Sequence, residues 1–219
     1  EYPEAHNNYG ETLMRSGRLA EAVSYFERAI ELKPAYSTPY SNLGSCLAQQ
    51  GRAGEAVPYL RKAIELKPDF TDAHNNLGLA YYHDGRLDEA IREYRKAIQI
   101  HSNHAFLYNN LGVALKQTGK YEEAASCFRE AIKRKDEGGM HQNMGSALFH
   151  LGRYEDAVLH YRNAISLGPE KADVHYSLGL TLLRLNRPAE AEAAFRSALK
   201  IEPQHEDARK QLAELGGKR

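Results

Sequence analysis

Residues 74–78 read HNNLG, and altered copies stand at 6–10 (HNNYG), 40–44 (YSNLG), 108–112 (YNNLG) and 141–145 (HQNMG). Asn is a weak helix former, and Gly costs roughly 1 kcal/mol against Ala in a helix interior. A chain that repeats such a phrase is using those positions. The glycines set the ruler: Gly10, Gly44, Gly78 and Gly112 are 34 residues apart, Gly145 follows after 33 and Gly179 after 34. A fixed period of this length is the signature of a repeat array. Six units follow: 3–36, 37–70, 71–104, 105–137, 138–171 and 172–205.

Each unit reads as a helical hairpin. A large residue precedes the glycine (Tyr9, Leu43, Leu77, Leu111, Met144, Leu178), and another follows three later (Leu13, Leu47, Tyr81, Leu115, Leu148, Leu182), which is helical spacing. The first helix stops at Gly17, Gly51, Gly85, Gly119, Gly152 or Asn186, types that tolerate the left-handed conformation of a helix C-cap. A second helix opens on an acidic residue (Glu21, Glu55, Glu89, Glu123, Asp156, Glu190), which suits the positive end of its dipole. It carries one narrow stripe, Ala22, Phe26 and Ala29 in the first unit and Ala90, Tyr94 and Ala97 in the third, where small residues flank one large knob. Pro34, Pro68, Pro169 and Pro203 then end it.

Glycine, Leu or Tyr, Ala, Phe or Tyr, Ala and Pro at these offsets resemble the tetratricopeptide repeat (TPR), over residues 3–205. The resemblance implies an all-α fold, a right-handed α-solenoid of six helix-turn-helix repeats whose first helices line a concave groove. Stacked repeats need polar ends, and residues 206–215 fit a capping helix, with Ala208, Leu212 and Leu215 inward and Glu206, Arg209, Lys210 and Glu214 outward. Residues 1–219 are thus one TPR domain, with 216–219 a fraying tail.

Three places depart from the pattern. The fourth unit is one residue short, and the next helix starts on Gly138 and Gly139, where the array is expected to bend or loosen. Pro58 falls inside a second helix, which predicts a slight kink. Ser102 and Asp136 stand where the terminal proline belongs.

Composition excludes several classes of function. Lys plus Arg and Asp plus Glu number 29 each, so the formal net charge is zero and the basic footprint of a nucleic-acid binder is missing. Cys46 and Cys127 form no metal or disulfide pattern and read as reduced, buried thiols. No apolar run is long enough for a membrane span. The chain starts at Glu1 without Met, as a processed or excised segment would, and a cytoplasmic location is the reading adopted. His6, His74, His141 and His175 share a repeat position with Tyr40 and Tyr108, so they read as packing groups rather than metal ligands. No nucleophile, phosphate-loop or zinc-protease motif occurs. No enzyme activity, metal or cofactor is expected.

The face opposite the packed stripe carries Asn8, Asn42, Asn76, Asn110 and Asn143, two before each glycine, with Ser177 in the last unit. An amide offers a donor and an acceptor, so this ladder can pair with the backbone of a bound chain. Asn75, Asn109, Tyr82, Phe106, Lys116, Phe149, Tyr176 and Arg184 give the surrounding groove a polar character with aromatic patches. The ladder resembles that of the superhelical TPR arms of O-GlcNAc transferases, which implies a peptide ligand. Chaperone adaptors of the family instead carry Lys or Arg one before the ladder, where this chain has Asn7, Ser41, Asn75, Asn109, Gln142 and Tyr176, so their carboxylate clamp is disfavoured. The leading expectation is a scaffold binding an extended or helical segment of a protein partner. A second is the substrate-recognition arm of a glycosyltransferase, and a third is self-association.

Overall fold

The computed structural model describes residues 2–216 and, among them, thirteen helices and no strand. In chain order these are α1 (Pro3–Arg15), α2 (Leu19–Leu32), α3 (Ser37–Gln49), α4 (Ala53–Leu66), α5 (Thr71–His83), α6 (Leu87–Ile100), α7 (Ala105–Gln117), α8 (Tyr121–Arg134), α9 (Gly138–His150), α10 (Tyr154–Leu167), α11 (Ala172–Arg184), α12 (Pro188–Ile201) and α13 (Glu206–Gly216). The fold is an all-α helical repeat. The helices fall into two compact units, residues 1–114 and 115–219. The tail reading beyond Gly216 lies outside the described residues.

Every hairpin closes in the same way. Gly17, Gly51, Gly85, Gly119 and Gly152 have φ between +73° and +78°, and Asn186 has φ +56°. The residue after each donates its N–H back five positions, as in Arg18 to Leu13 O (2.9 Å), Arg86 to Tyr81 O (2.8 Å) and Arg187 to Leu182 O (2.9 Å). This is a Schellman closure, which satisfies carbonyls that the helix end would otherwise orphan. The same arginine then begins the second helix and forks onto the acidic residue three later: Arg18 with Glu21, Arg52 with Glu55, Arg86 with Glu89, Arg153 with Asp156 and Arg187 with Glu190. The acidic start therefore serves the turn as well as the helix dipole. Arg18 holds the Glu21 carboxyl below its ordinary pKa.

Within a hairpin the first-helix glycine admits the second-helix knob. A Cβ on Gly78 would lie 2.6 Å from Tyr94 Cε1, far inside van der Waals contact, so only glycine fits. The same pairing joins Gly10 to Phe26, Gly44 to Leu60, Gly145 to Tyr161 and Gly179 to Phe195. The knobs and their flanking alanines are buried. In the first unit α2 packs on α3 and α4 on α5; in the second, α8 packs on α9, α10 on α11 and α12 on α13. Ala208 of α13 is buried, while Leu212 and Leu215 are half-buried.

The start of α9 departs from expectation. Gly138 is buried, and a Cβ there would meet Ala164 O at 2.8 Å and Gly168 N at 2.9 Å. It is a close backbone contact between α9 and the end of α10, not a loosened joint. Pro58 and Gly54, whose carbonyl loses its N–H partner at Pro58, are both exposed, so water can satisfy that carbonyl. Cys46 is buried and donates its thiol to Leu19 O at 3.2 Å; Cys127 is half-buried.

Candidate functional site

In residues 1–114 the first helices α1, α3 and α5 touch in succession. Their amides bond from repeat to repeat. Asn42 Nδ2 donates to Asn7 Oδ1 and to Glu11 Oε1, both at 2.9 Å. Asn76 Nδ2 donates to Ser41 Oγ at 3.4 Å, and Asn110 Nδ2 to Asn75 Oδ1 at 3.0 Å. The rule is uniform: a ladder residue donates to the residue 35 positions earlier, which stands one before the ladder in the preceding repeat. Net values of about 0.5–1.5 kcal/mol apply to such bonds. Asn7 is only 1% exposed and also donates to Glu11 at 2.9 Å, so it belongs to the repeat joint.

This geometry divides the amide's two functions. The Nδ2 of Asn42, Asn76 and Asn110 points to the preceding repeat, and these side chains are half-buried rather than exposed. Each carbonyl Oδ1 is thereby fixed in orientation as an acceptor on the same face. Asn8, on the first helix, is exposed. Asn143 takes the corresponding position in residues 115–219 and is half-buried, as is Asn109 in the first unit.

A pocket recurs beside the ladder position in each unit. In the first it is lined by Ser45, Ala48 and Gln49 of α3 and by Asn76, Leu79 and His83 of α5. In the second, Ser146, Phe149 and His150 of α9 face Ser177 and Leu180 of α11 across Tyr161 of α10. Five positions coincide between the two sets, counted from Gly44 and Gly78 or from Gly145 and Gly179; His83 in the first and Tyr161 in the second have no counterpart. The second pocket is the more aromatic. Burial pushes the Tyr161 hydroxyl up to about 12, against its hydrogen bonds with Ser177 and Ser146.

The remaining candidates are dispersed. Lys116 is half-buried with Nζ 3.5 Å from Ser146 Oγ, and burial holds its ammonium below the ordinary lysine pKa. The Arg184 guanidinium lies over the Phe149 ring at 5.5 Å. Tyr82 is half-buried and edge-on to His83, and Phe106 is 43% exposed beside His104. Tyr176 is half-buried against Phe195 and His205, its ring 5.8 Å and 4.9 Å from theirs. Glu11 and Ser146 were not among the residues singled out from the sequence. The four-residue spacing of Asn7 and Glu11 along α1 was the signal available for the first.

His74 and His141 hydrogen-bond across their hairpins as well as filling space. His74 Nδ1 lies 2.7 Å from Glu93 Oε2 and its Nε2 3.0 Å from Pro68 O. Two repeats on, His141 Nδ1 lies 2.7 Å from His160 Nδ1 and its Nε2 2.7 Å from Asp136 Oδ1. Glu93 and His160 occupy the same repeat position. Among the described residues no cluster of three or more His, Cys, Asp or Glu side chains could hold a metal ion. No described helix is long and apolar enough to cross a membrane.

Family models for the tetratricopeptide repeat match residues 1–69, 69–137 and 143–206, and the chain belongs to that family. Its fold is similar to a chain of the APC/C hetero-tetramer Cut9–Hcn1, with a TM-score of 0.83 and 19% identity over 98% of this chain and 42% of that one. It is similar to YrrB, described as a TPR protein with an unusual peptide-binding site, with a TM-score of 0.72 and 22% identity over 84% and 96% of the two chains. Against PilF of Pseudomonas aeruginosa the TM-score is 0.85, with 18% identity over 97% of each chain. The chain thus spans 42% of the length of its Cut9–Hcn1 neighbour. At these identities the likeness concerns the fold. A search of curated proteins found no match.

Proposed function

We propose that this chain is a non-catalytic scaffold that holds a segment of a partner protein along its asparagine ladder. The row of oriented Oδ1 acceptors on Asn42, Asn76 and Asn110 carries the reading, because each amide is already anchored through Nδ2 and pays little further rotamer entropy on binding. Packed helices lie roughly 8–10 Å apart, and an extended chain advances about 3.3 Å per residue. One rung therefore meets about every third residue of the ligand. YrrB, with its peptide-binding site, and the Cut9–Hcn1 assembly show the same fold in partner-bearing proteins. No observation favours the glycosyltransferase-arm reading over this one.

The test is affinity capture of partners with the wild-type chain and with the Asn76→Ala/Asn110→Ala double variant. The double variant should lose the captured partner while its helical circular dichroism is retained. Asn75→Ala is the graded comparison: it removes the acceptor that orients Asn110 but leaves every ladder oxygen in place, so it should weaken capture less than the double variant does. Equal capture by the double variant would remove the ladder from the mechanism.

A further inference from the structure

Lys116 is half-buried, whereas most lysines among the described residues are exposed. Lys33, Lys62, Lys96 and Lys135 each pair with a glutamate. Lys116 is drawn into the protein surface, and its hydrogen-bond partner is the neutral hydroxyl of Ser146 at 3.5 Å, with no carboxylate within ion-pair distance among the described residues. Partial burial of a cation without a counter-charge is costly, and here burial alone depresses its pKa. Its partner Ser146 is a wall of the aromatic pocket of α9 and α11. On another wall Phe149 carries the exposed Arg184 guanidinium over its ring. The pocket thus has an apolar interior, formed by Phe149 and Leu180, and two cations at its margin.

The surroundings lack compensating acid. α9 contains no carboxylate, and α7 contains none either. α11 has only Asp173, at its opposite end from Arg184, where it lies 3.4 Å from His205 Nε2. Acidic residues are concentrated on the second helices, as in Glu122 and Glu123 of α8 and Glu155 and Asp156 of α10.

Building on the scaffold reading above, we infer that this pocket takes an aromatic side chain from the partner segment, with carboxylate side chains of the same segment meeting Lys116 and Arg184. The preferred ligand is therefore acidic around an aromatic anchor. Electrostatic complementarity of this kind chooses among partners and speeds encounter, while the ladder provides contacts that disregard side chains.

Fluorescence anisotropy with labelled nonapeptides tests the inference. The probe is Ser-Ala-Glu-Thr-Phe-Thr-Glu-Ala-Ser, compared with the same peptide carrying Gln for both Glu and with one carrying Ala for Phe. The acidic peptide should bind about five- to tenfold more tightly than the Gln form, a range set by one to two partly screened charge pairs. The Phe-to-Ala peptide should bind more weakly than either. The Lys116→Gln/Arg184→Gln variant should bind the acidic and Gln peptides equally, whereas Lys116→Arg should keep the preference. Equal binding of the two peptides by the wild type, or an undiminished preference in the double variant, overturns the inference. Tight binding of a phosphoserine-for-Glu peptide without binding of the Glu peptide would overturn the carboxylate assignment. If the charge preference is absent yet Asn76→Ala/Asn110→Ala weakens all the peptides, the ladder reading stands and this one falls. If no peptide binds at millimolar concentration, both fall.

Discussion

Asn110 Nδ2 donates to Asn75 Oδ1 at 3.0 Å, and the same bond, two repeats earlier, joins Asn42 to Asn7. The paired amides of the sequence thus serve the joints between repeats. A double-mutant cycle on Asn75→Ala and Asn110→Ala should return a coupling of about 0.5–1.5 kcal/mol. Urea denaturation followed by circular dichroism would measure it, and a coupling near zero would mean that the bond contributes nothing in solution.

Adjacent glycines should respond oppositely to the same change. Gly138→Ala drives a methyl into the backbone of Ala164 and Gly168 and should cost about 1–3 kcal/mol, as overpacking does. Gly139, with nothing within 4 Å of its Cβ position, should tolerate Ala and gain up to about 1 kcal/mol through reduced freedom of the unfolded chain. Thermal melts of the two single variants decide the matter, and matching shifts would refute the assigned contact.

Asn186 is the non-glycine residue with positive φ among the described residues, at +56°. Asn186→Ala should destabilise by about 1 kcal/mol, because a Cβ without a local polar partner disfavours that conformation. The comparison is Asn186→Gly, which should keep stability within about 0.5 kcal/mol of the wild type in urea denaturation, and equal losses in the two variants would refute the backbone argument.

The acid limb of stability should depend on His160. Burial holds its pKa below the ordinary 6.5, and His141, Arg129 and Arg153 push the same way while Asp156 opposes them. Because the folded value is depressed, the unfolded chain takes up the proton first as pH falls. The contribution is complete above 6.5 and is lost as pH falls through the folded value. His175, also depressed by burial, acts in the same sense, with Glu170 opposing. His160→Glu would give His141 the carboxylate that Glu93 gives His74, facing Arg129 and Arg153. Calorimetry at pH 5.5 should show Tm raised by a few degrees, with little change at pH 8. A lower Tm at pH 5.5 would contradict the pairing.

How far the residues announced this arrangement differs from place to place. The period, the Tyr94 knob between Ala90 and Ala97 and the left-handed turn at Asn186 were all legible, because each follows from spacing within one repeat and from the limits of one residue type. The use of Asn76 was half legible. Its place on the face away from the packed stripe could be inferred, but its half-burial and its bond to Ser41 depend on how successive repeats are offset, and no pattern inside one repeat carries that offset. Gly138 was misread for a similar reason. Two glycines at a helix start suggest weakness, and only the approach of Gly168 reveals that one of them is there for contact. The forks from Arg18 and its counterparts needed no tertiary knowledge, since three residues along one helix suffice.

The direction of the ladder has a corollary for ligand chemistry. The amides of Asn42, Asn76 and Asn110 turn an N–H to the preceding repeat, so under the proposed reading a segment lying on their oxygens would supply backbone N–H groups in register. Nineteen of the twenty amino acids can do so. Proline cannot, so the proposed ladder would discriminate against one residue at about every third position.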